Sequence, residues 1–143
     1  MEKVHKTITI KAPVGKVFAF MNDPHNLTEI WPSMVEVKDV MPAPGGGYNF
    51  GWVYKMAGMR LEGASETTEY IPDQRTVTKS VKGIQSQFTW VYEPLADGTR
   101  LTVDVEYTVP VPVLGKLAES IIVKQNERES ELLLENLKNR MEM

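Results

Sequence analysis

The chain has 143 residues, with 16 Lys and Arg against 19 Asp and Glu, for a net charge of -3. It has no cysteine and two histidines, His5 and His25, which excludes disulfides, thiolate metal sites, Fe–S clusters, a cysteine nucleophile and a His-rich metal centre. The acidic balance argues against a nucleic-acid-binding face, and the length fits one domain over residues 1–143 with a sizeable core.

The N-terminus, Met-Glu-Lys-Val-His-Lys, lacks the apolar run of a signal peptide. No stretch approaches the ~20 apolar residues of a membrane span. A cytoplasmic protein without stable membrane insertion is the expectation. Val4, Ile8 and Ile10 alternate with polar residues and predict a first strand. Pro13 suits a first helical position, and Val14, Val17, Phe18 and Met21 share one helical face. Asp23-Pro24 repeats the start signal for a second short helix, which Trp31-Pro32 ends.

A strand-rich middle follows. Val35 and Val37 alternate with charges, and Pro42 to Gly47 reads as a loop. Tyr48, Phe50, Trp52, Tyr54 and Met56 lie at spacing two and predict a strand with a large apolar face. Ala57-Gly58 is a turn, Arg60 to Ile71 a more polar strand, and Pro72-Asp73-Gln74 another turn. Thr76 to Lys82 is polar and rich in Val and Thr, and reads as a strand near an edge. Phe88, Trp90 and Tyr92 again lie at spacing two. Asp97-Gly98 signals a hairpin, and Leu101, Val103, Val105, Tyr107 and Val109 form the last alternating strand.

From about Val113 to Arg140 the pattern predicts one helix of about 28 residues, roughly 42 Å long. On a helical wheel Leu114, Ala118, Ile121, Ile122 and Leu132 gather as a buried stripe, which Leu133 and Asn136 extend. Lys124 to Glu131 is a run of eight polar residues, with Gln125 near the centre of that stripe and Arg128 and Glu129 beside it. Unpartnered buried polar atoms cost about 1–3 kcal/mol each. Two readings stay open: an internal hydrogen-bond network or exposed curve, and a helix crossing a cavity. The aromatic stripes divide the same way, between plain core and the wall of a ligand cup.

Gly45-Gly46-Gly47 precedes a strand and is a hairpin loop, not a phosphate loop. His25 reads as a surface or cap residue, and Glu62, Glu66 and Glu69 as a solvated strand face.

Four segments carry a family resemblance. They are Ile10 to Phe18; Asn22-Asp23-Pro24 with Leu27 and Trp31; Glu69-Tyr70-Ile71-Pro72 with Arg75; and Trp90 followed by Asp97 to Thr102. Their order resembles the START-like, helix-grip (SRPBCC) superfamily of polyketide cyclase/dehydrase-like and lipid-transfer proteins. The resemblance implies an α+β fold: a curved antiparallel sheet of six or seven strands wrapped around a long C-terminal helix, with two short helices after the first strand. It also implies an apolar cavity between sheet and helix.

The function expected is binding of a hydrophobic small molecule, such as a lipid, polyketide, isoprenoid or sterol. The candidate binding residues are Trp31, Phe50, Trp52, Tyr54, Phe88, Trp90, Tyr92, Ile121, Gln125 and Arg128. No metal or cofactor is expected, and monomer and homodimer are both open. Two alternatives stand beside it. One is a cyclase or dehydratase that moves protons through residues such as Tyr54 and Glu66. The other is a protein-interaction module like the chaperone-ATPase activators that share the fold.

Overall fold

A computed structural model describes residues 1–143, the side chain of Val113 lying outside the described set. Strand β1 (Glu2–Ile10) leads into α1 (Val14–Met21), a short 3-10 turn (Pro24–Asn26) and α2 (Leu27–Ile30). Six strands follow: β2 (Met34–Pro42), β3 (Tyr48–Met56), β4 (Met59–Ile71), β5 (Arg75–Lys82), β6 (Ser86–Leu95) and β7 (Gly98–Tyr107). The chain closes with α3 (Val111–Leu114), a 3-10 turn (Lys116–Ala118) and α4 (Glu119–Met141). The seven strands form one antiparallel sheet in the order β1-β7-β6-β5-β4-β3-β2. This is the expected helix-grip architecture.

Local chemistry explains the turns. Ala57 and Gly58 both have positive φ, +51° and +77°, the backbone that matches the twist of a two-residue hairpin. Asp23 Oδ1 accepts the His25 N–H at 3.0 Å and caps the turn at Pro24. The same oxygen holds the His25 ring at 3.0 Å, so this histidine is an exposed cap.

Two predicted features are corrected. Strand β5 is the middle strand, not one near an edge. Its inward Thr76 and Thr78 border hollow space, so short hydroxyl side chains there mark the floor of a cavity. The predicted single helix from Val113 is broken: Gly115 sits at φ +87°, ψ 147°, and α4 proper has 23 residues, about 35 Å.

The core is dense at one end. Leu133, Leu134, Leu137 and Met141 of α4 bury themselves against Ile10, Val17, Phe18, Ile30, Leu101 and Val103, each contributing roughly 1.5–3 kcal/mol of burial. Buried Thr99 satisfies its hydroxyl on the Ala12 carbonyl at 2.8 Å. Polar ties then fix the position of α4. Lys6 Nζ reaches Glu127 at 3.1 Å and Glu131 at 3.2 Å, and Asn136 Nδ2 donates to the Ile30 carbonyl at 2.9 Å. Toward its N-terminus α4 has fewer buried apolar residues, Ile122 being the one fully enclosed, and the interior opens. Among the described residues no helix is long and apolar enough to cross a membrane.

Candidate functional site

The hollow lies between the inner sheet face and the first half of α4. Its volume is about 90 Å³. Strand β3 supplies Phe50, Trp52, Tyr54 and Met56; β6 supplies Phe88 and Trp90; β7 supplies Val105 and Tyr107. All occupy inward positions at spacing two, because successive strand side chains alternate between faces. Trp31, where α2 ends, closes one side, and Asn126, Glu129 and Ser130 of α4 form the roof.

The rings support one another. Trp31 meets Tyr54 edge-on at 5.6 Å between centroids and Phe88 at 5.2 Å, and Phe88 stacks on Trp90 at 6.3 Å with 13° between planes. Such pairs contribute about 0.5–1.5 kcal/mol each beyond area burial. Trp52 Nε1 donates to Ser65 Oγ at 3.0 Å, which holds the indole flat against the β4 backbone.

The polar groups cluster under α4. Tyr54 Oη donates to Asn126 Oδ1 over a long 3.4 Å. Glu129 Oε1 accepts the Ser33 N–H at 2.5 Å. Ser130 Oγ donates to the Asn126 carbonyl at 3.0 Å, so it is spent inside the helix. Two residues of the lining each carry a buried polar atom with no hydrogen-bond partner at good geometry: Trp31 Nε1 and Tyr107 Oη. Burial pushes the Tyr54 hydroxyl well up, and the nearby Glu129 charge adds to it. Burial also raises Tyr107, with Asn126 pulling slightly the other way. Both are neutral phenols at physiological pH and present O–H groups. Among the described residues no three His, Asp or Glu side chains gather as a metal site.

A second chamber of about 60 Å³ lies toward α1, between Phe18, Leu27, Tyr70 and Tyr92. Phe50, Thr78 and Trp90 border both chambers and separate them. A larger void, about 380 Å³, is an outer depression lined by Lys55, Lys124, Gln125 and Arg128, and it shares Met56, Asn126 and Glu129 with the main chamber. It lacks aromatic walls and is a surface feature.

The sequence-predicted residues therefore divide. Trp31, Phe50, Trp52, Tyr54, Phe88 and Trp90 border the main chamber, and Tyr92 lines the second. Ile121 does not come to them: it faces outward, 58% exposed. Gln125 and Arg128 sit in the outer depression, and the Arg128 side chain is 68% exposed. The predicted buried stripe keeps Ile122 and Leu133, and between them it runs through Asn126, Glu129 and Ser130 in place of Gln125, with Ile121 outside it. The predicted phase leaned on Leu114 and Ala118, which lie before α4 begins. Counting back by three and four from Leu137 and Leu133 reaches Ser130, Asn126 and Ile122, and that signal was present in the sequence. Tyr107, read only as part of a strand, adds a phenol to the chamber. Glu66 is exposed, opposite Lys79 on the adjoining strand, and takes no part in the chamber.

The family described as polyketide cyclase / dehydrase and lipid transport matches residues 1–142. Protein TTHA0849 of Thermus thermophilus is similar in structure, with a TM-score of 0.84 and 24% identity over 98% of this chain and 97% of its own. A START superfamily protein from Mycobacterium smegmatis is similar with a TM-score of 0.74 and 19% identity, over 98% of this chain and 97% of its own. StfQ, a di-domain ARO/CYC from the steffimycin biosynthetic pathway, is similar with a TM-score of 0.76 and 16% identity, over 98% of this chain and 50% of the di-domain chain. Among curated proteins none matches the chain.

Proposed function

The chain belongs to the polyketide cyclase / dehydrase and lipid transport family, within the START-like superfamily its motifs resemble, and on that premise we propose that it binds a small hydrophobic molecule in the chamber under α4. The observation that carries the reading is the aromatic-walled hollow with two unpartnered buried polar atoms on its border. Apolar walls supply affinity at about 25 cal/mol per Å² of surface removed from water. The polar cluster orients one end of the ligand.

Size narrows the ligand. A chamber of about 90 Å³ is smaller than the ~150 Å³ cavity that admits benzene and the roughly 300–1,000 Å³ of drug-sized sites. Even a single ring therefore requires lining side chains to give way, and a sterol or long acyl chain requires Phe50 and Trp90 to move and join the two chambers. Titration of labelled protein with a panel of single-ring, polyketide, sterol and lipid ligands tests this. Binding should shift the indole signals of Trp31, Trp52 and Trp90 together with the Asn126 amide. A panel that leaves all four signals unmoved overturns the reading.

One observation favours a second reading. Glu129 and Tyr54 line the same chamber, and a carboxylate and a phenol on one apolar-walled space suit proton transfer during cyclisation or dehydration of a polyketide chain. It predicts turnover of an aromatic polyketide precursor that falls at least about tenfold in Glu129→Gln. Full turnover in that variant removes Glu129 as the base.

A further inference from the structure

The charge inventory of the main chamber is one-sided. Among the described residues, Glu129 is the one carboxylate on its lining, and no Lys, Arg or His borders it. The cations Lys55, Lys124 and Arg128 line the neighbouring depression, which Met56, Asn126 and Glu129 also border, and none of the three lines the chamber itself. A ligand carboxylate placed in the chamber would meet a like charge with no counter-ion. Burying an unpaired charge in apolar surroundings is strongly unfavourable, and the nearby negative charge adds to that.

The hydrogen-bond inventory is complementary. Trp31 Nε1 and Tyr107 Oη have no hydrogen-bond partner at good geometry, although the Tyr54 hydroxyl lies near the first and Asn126 near the second. Tyr54 already spends its proton on Asn126. Glu129 spends Oε1 on the Ser33 N–H, which leaves Oε2 for a donor. All these residues border one space of about 90 Å³, so side-chain shifts that uncover Trp31 Nε1 or Tyr107 Oη bring them to the same ligand as Glu129. A hydroxyl matches the set: its oxygen accepts from Trp31 or Tyr107, and its proton goes to Glu129. The surrounding ring faces suit a flat ring behind that oxygen.

We infer that the chamber selects uncharged, hydroxyl-bearing ring compounds and excludes carboxylates of the same shape. This rests on the ligand-binding reading above and specifies the ligand class of that site. Three para-substituted single-ring probes test it: para-xylene, para-cresol and the larger para-toluate, titrated at neutral pH with dissociation constants read from indole and Asn126 amide shifts. The expected order is para-cresol tightest, para-xylene several-fold weaker, and para-toluate weaker than para-cresol by about tenfold or more. Glu129→Gln retains an acceptor for the Ser33 N–H, and it should bring para-toluate to within about threefold of para-cresol. Tyr107→Phe should reduce the preference for para-cresol over para-xylene.

Para-toluate binding as tightly as para-cresol, or a gap that Glu129→Gln leaves unchanged, overturns the selectivity while the cavity reading stands on para-xylene. If none of the three probes moves the chamber signals, the cavity reading fails and this inference fails with it.

Discussion

Trp52 holds its place in the chamber wall because Gly63 stands opposite it. The two residues pair across β3 and β4. A Cβ on Gly63 would lie 2.3 Å from the Trp52 ring and 2.6 Å from the Lys82 carbonyl oxygen. The carbonyl belongs to backbone and cannot swing away, so the strand backbone must shift as well as the indole. Gly63→Ala should therefore cost about 1–3 kcal/mol by overpacking and break the Trp52 Nε1 bond to Ser65. A urea midpoint and the Trp52 indole resonance check this, and an unchanged midpoint with an unmoved resonance would refute it. The same reasoning separates wall from cluster. Trp52 is satisfied and fixed, whereas Trp31 Nε1 and Tyr107 Oη are left unbonded where a ligand would meet them. An unsatisfied buried polar atom costs about 1–3 kcal/mol, and filling the chamber with a matching partner recovers part of that.

The helix that roofs the chamber depends on where it starts. Gly115 adopts φ +87°, ψ 147° between α3 and the turn before α4, a region that residues with a Cβ occupy only under strain. No atom lies within 4 Å of a Cβ built there, so the cost of Gly115→Ala is purely that of the backbone, about 1–3 kcal/mol. The expected result is a thermal midpoint lower by roughly 3–10 °C. A raised midpoint with increased helical circular dichroism would mean that α3 and α4 fuse without loss, and that the break is dispensable. This glycine also explains what the sequence disclosed. The strands were legible because spacing-two aromatics and turn dipeptides such as Ala57-Gly58 and Asp97-Gly98 are local signals, and six of the ten candidate residues, all aromatic, border the main chamber. The face of α4 was not legible from Leu114 and Ala118. Rotation does not carry at 100° per residue through a residue at positive φ and a 3-10 turn. The polarity of β5 misled for a related reason: Thr76 and Thr78 border space, and space leaves no pattern in hydrophobicity.

At the scale of the whole molecule, the buried phenols of the two chambers govern how stability responds to high pH. Tyr54 and Tyr107 border the main chamber and Tyr92 the second, and burial holds all three hydroxyls above their ordinary value of 10.0. A group with a raised folded-state pKa contributes stability that is fully present below its unfolded value and is lost as pH rises through the folded one. The Lys6 ammonium adds to the same window: its hydrogen bond to Glu127, then that to Glu131, raises it above 10.5, though its exposure keeps the contribution small. Stability should therefore fall steadily above about pH 10. Unfolding releases all three phenols to ionise at their ordinary value, so these tyrosinates should form together with unfolding. Parallel titrations of tyrosinate absorbance and far-ultraviolet circular dichroism, in wild type and Tyr92→Phe, measure this directly. In wild type, three of the five tyrosines should ionise in step with loss of the sheet signal, and in Tyr92→Phe two. If Tyr92→Phe leaves unchanged the number of tyrosinates that form in step with loss of the sheet signal, Tyr92 ionises in the folded protein and its hydroxyl is open to water.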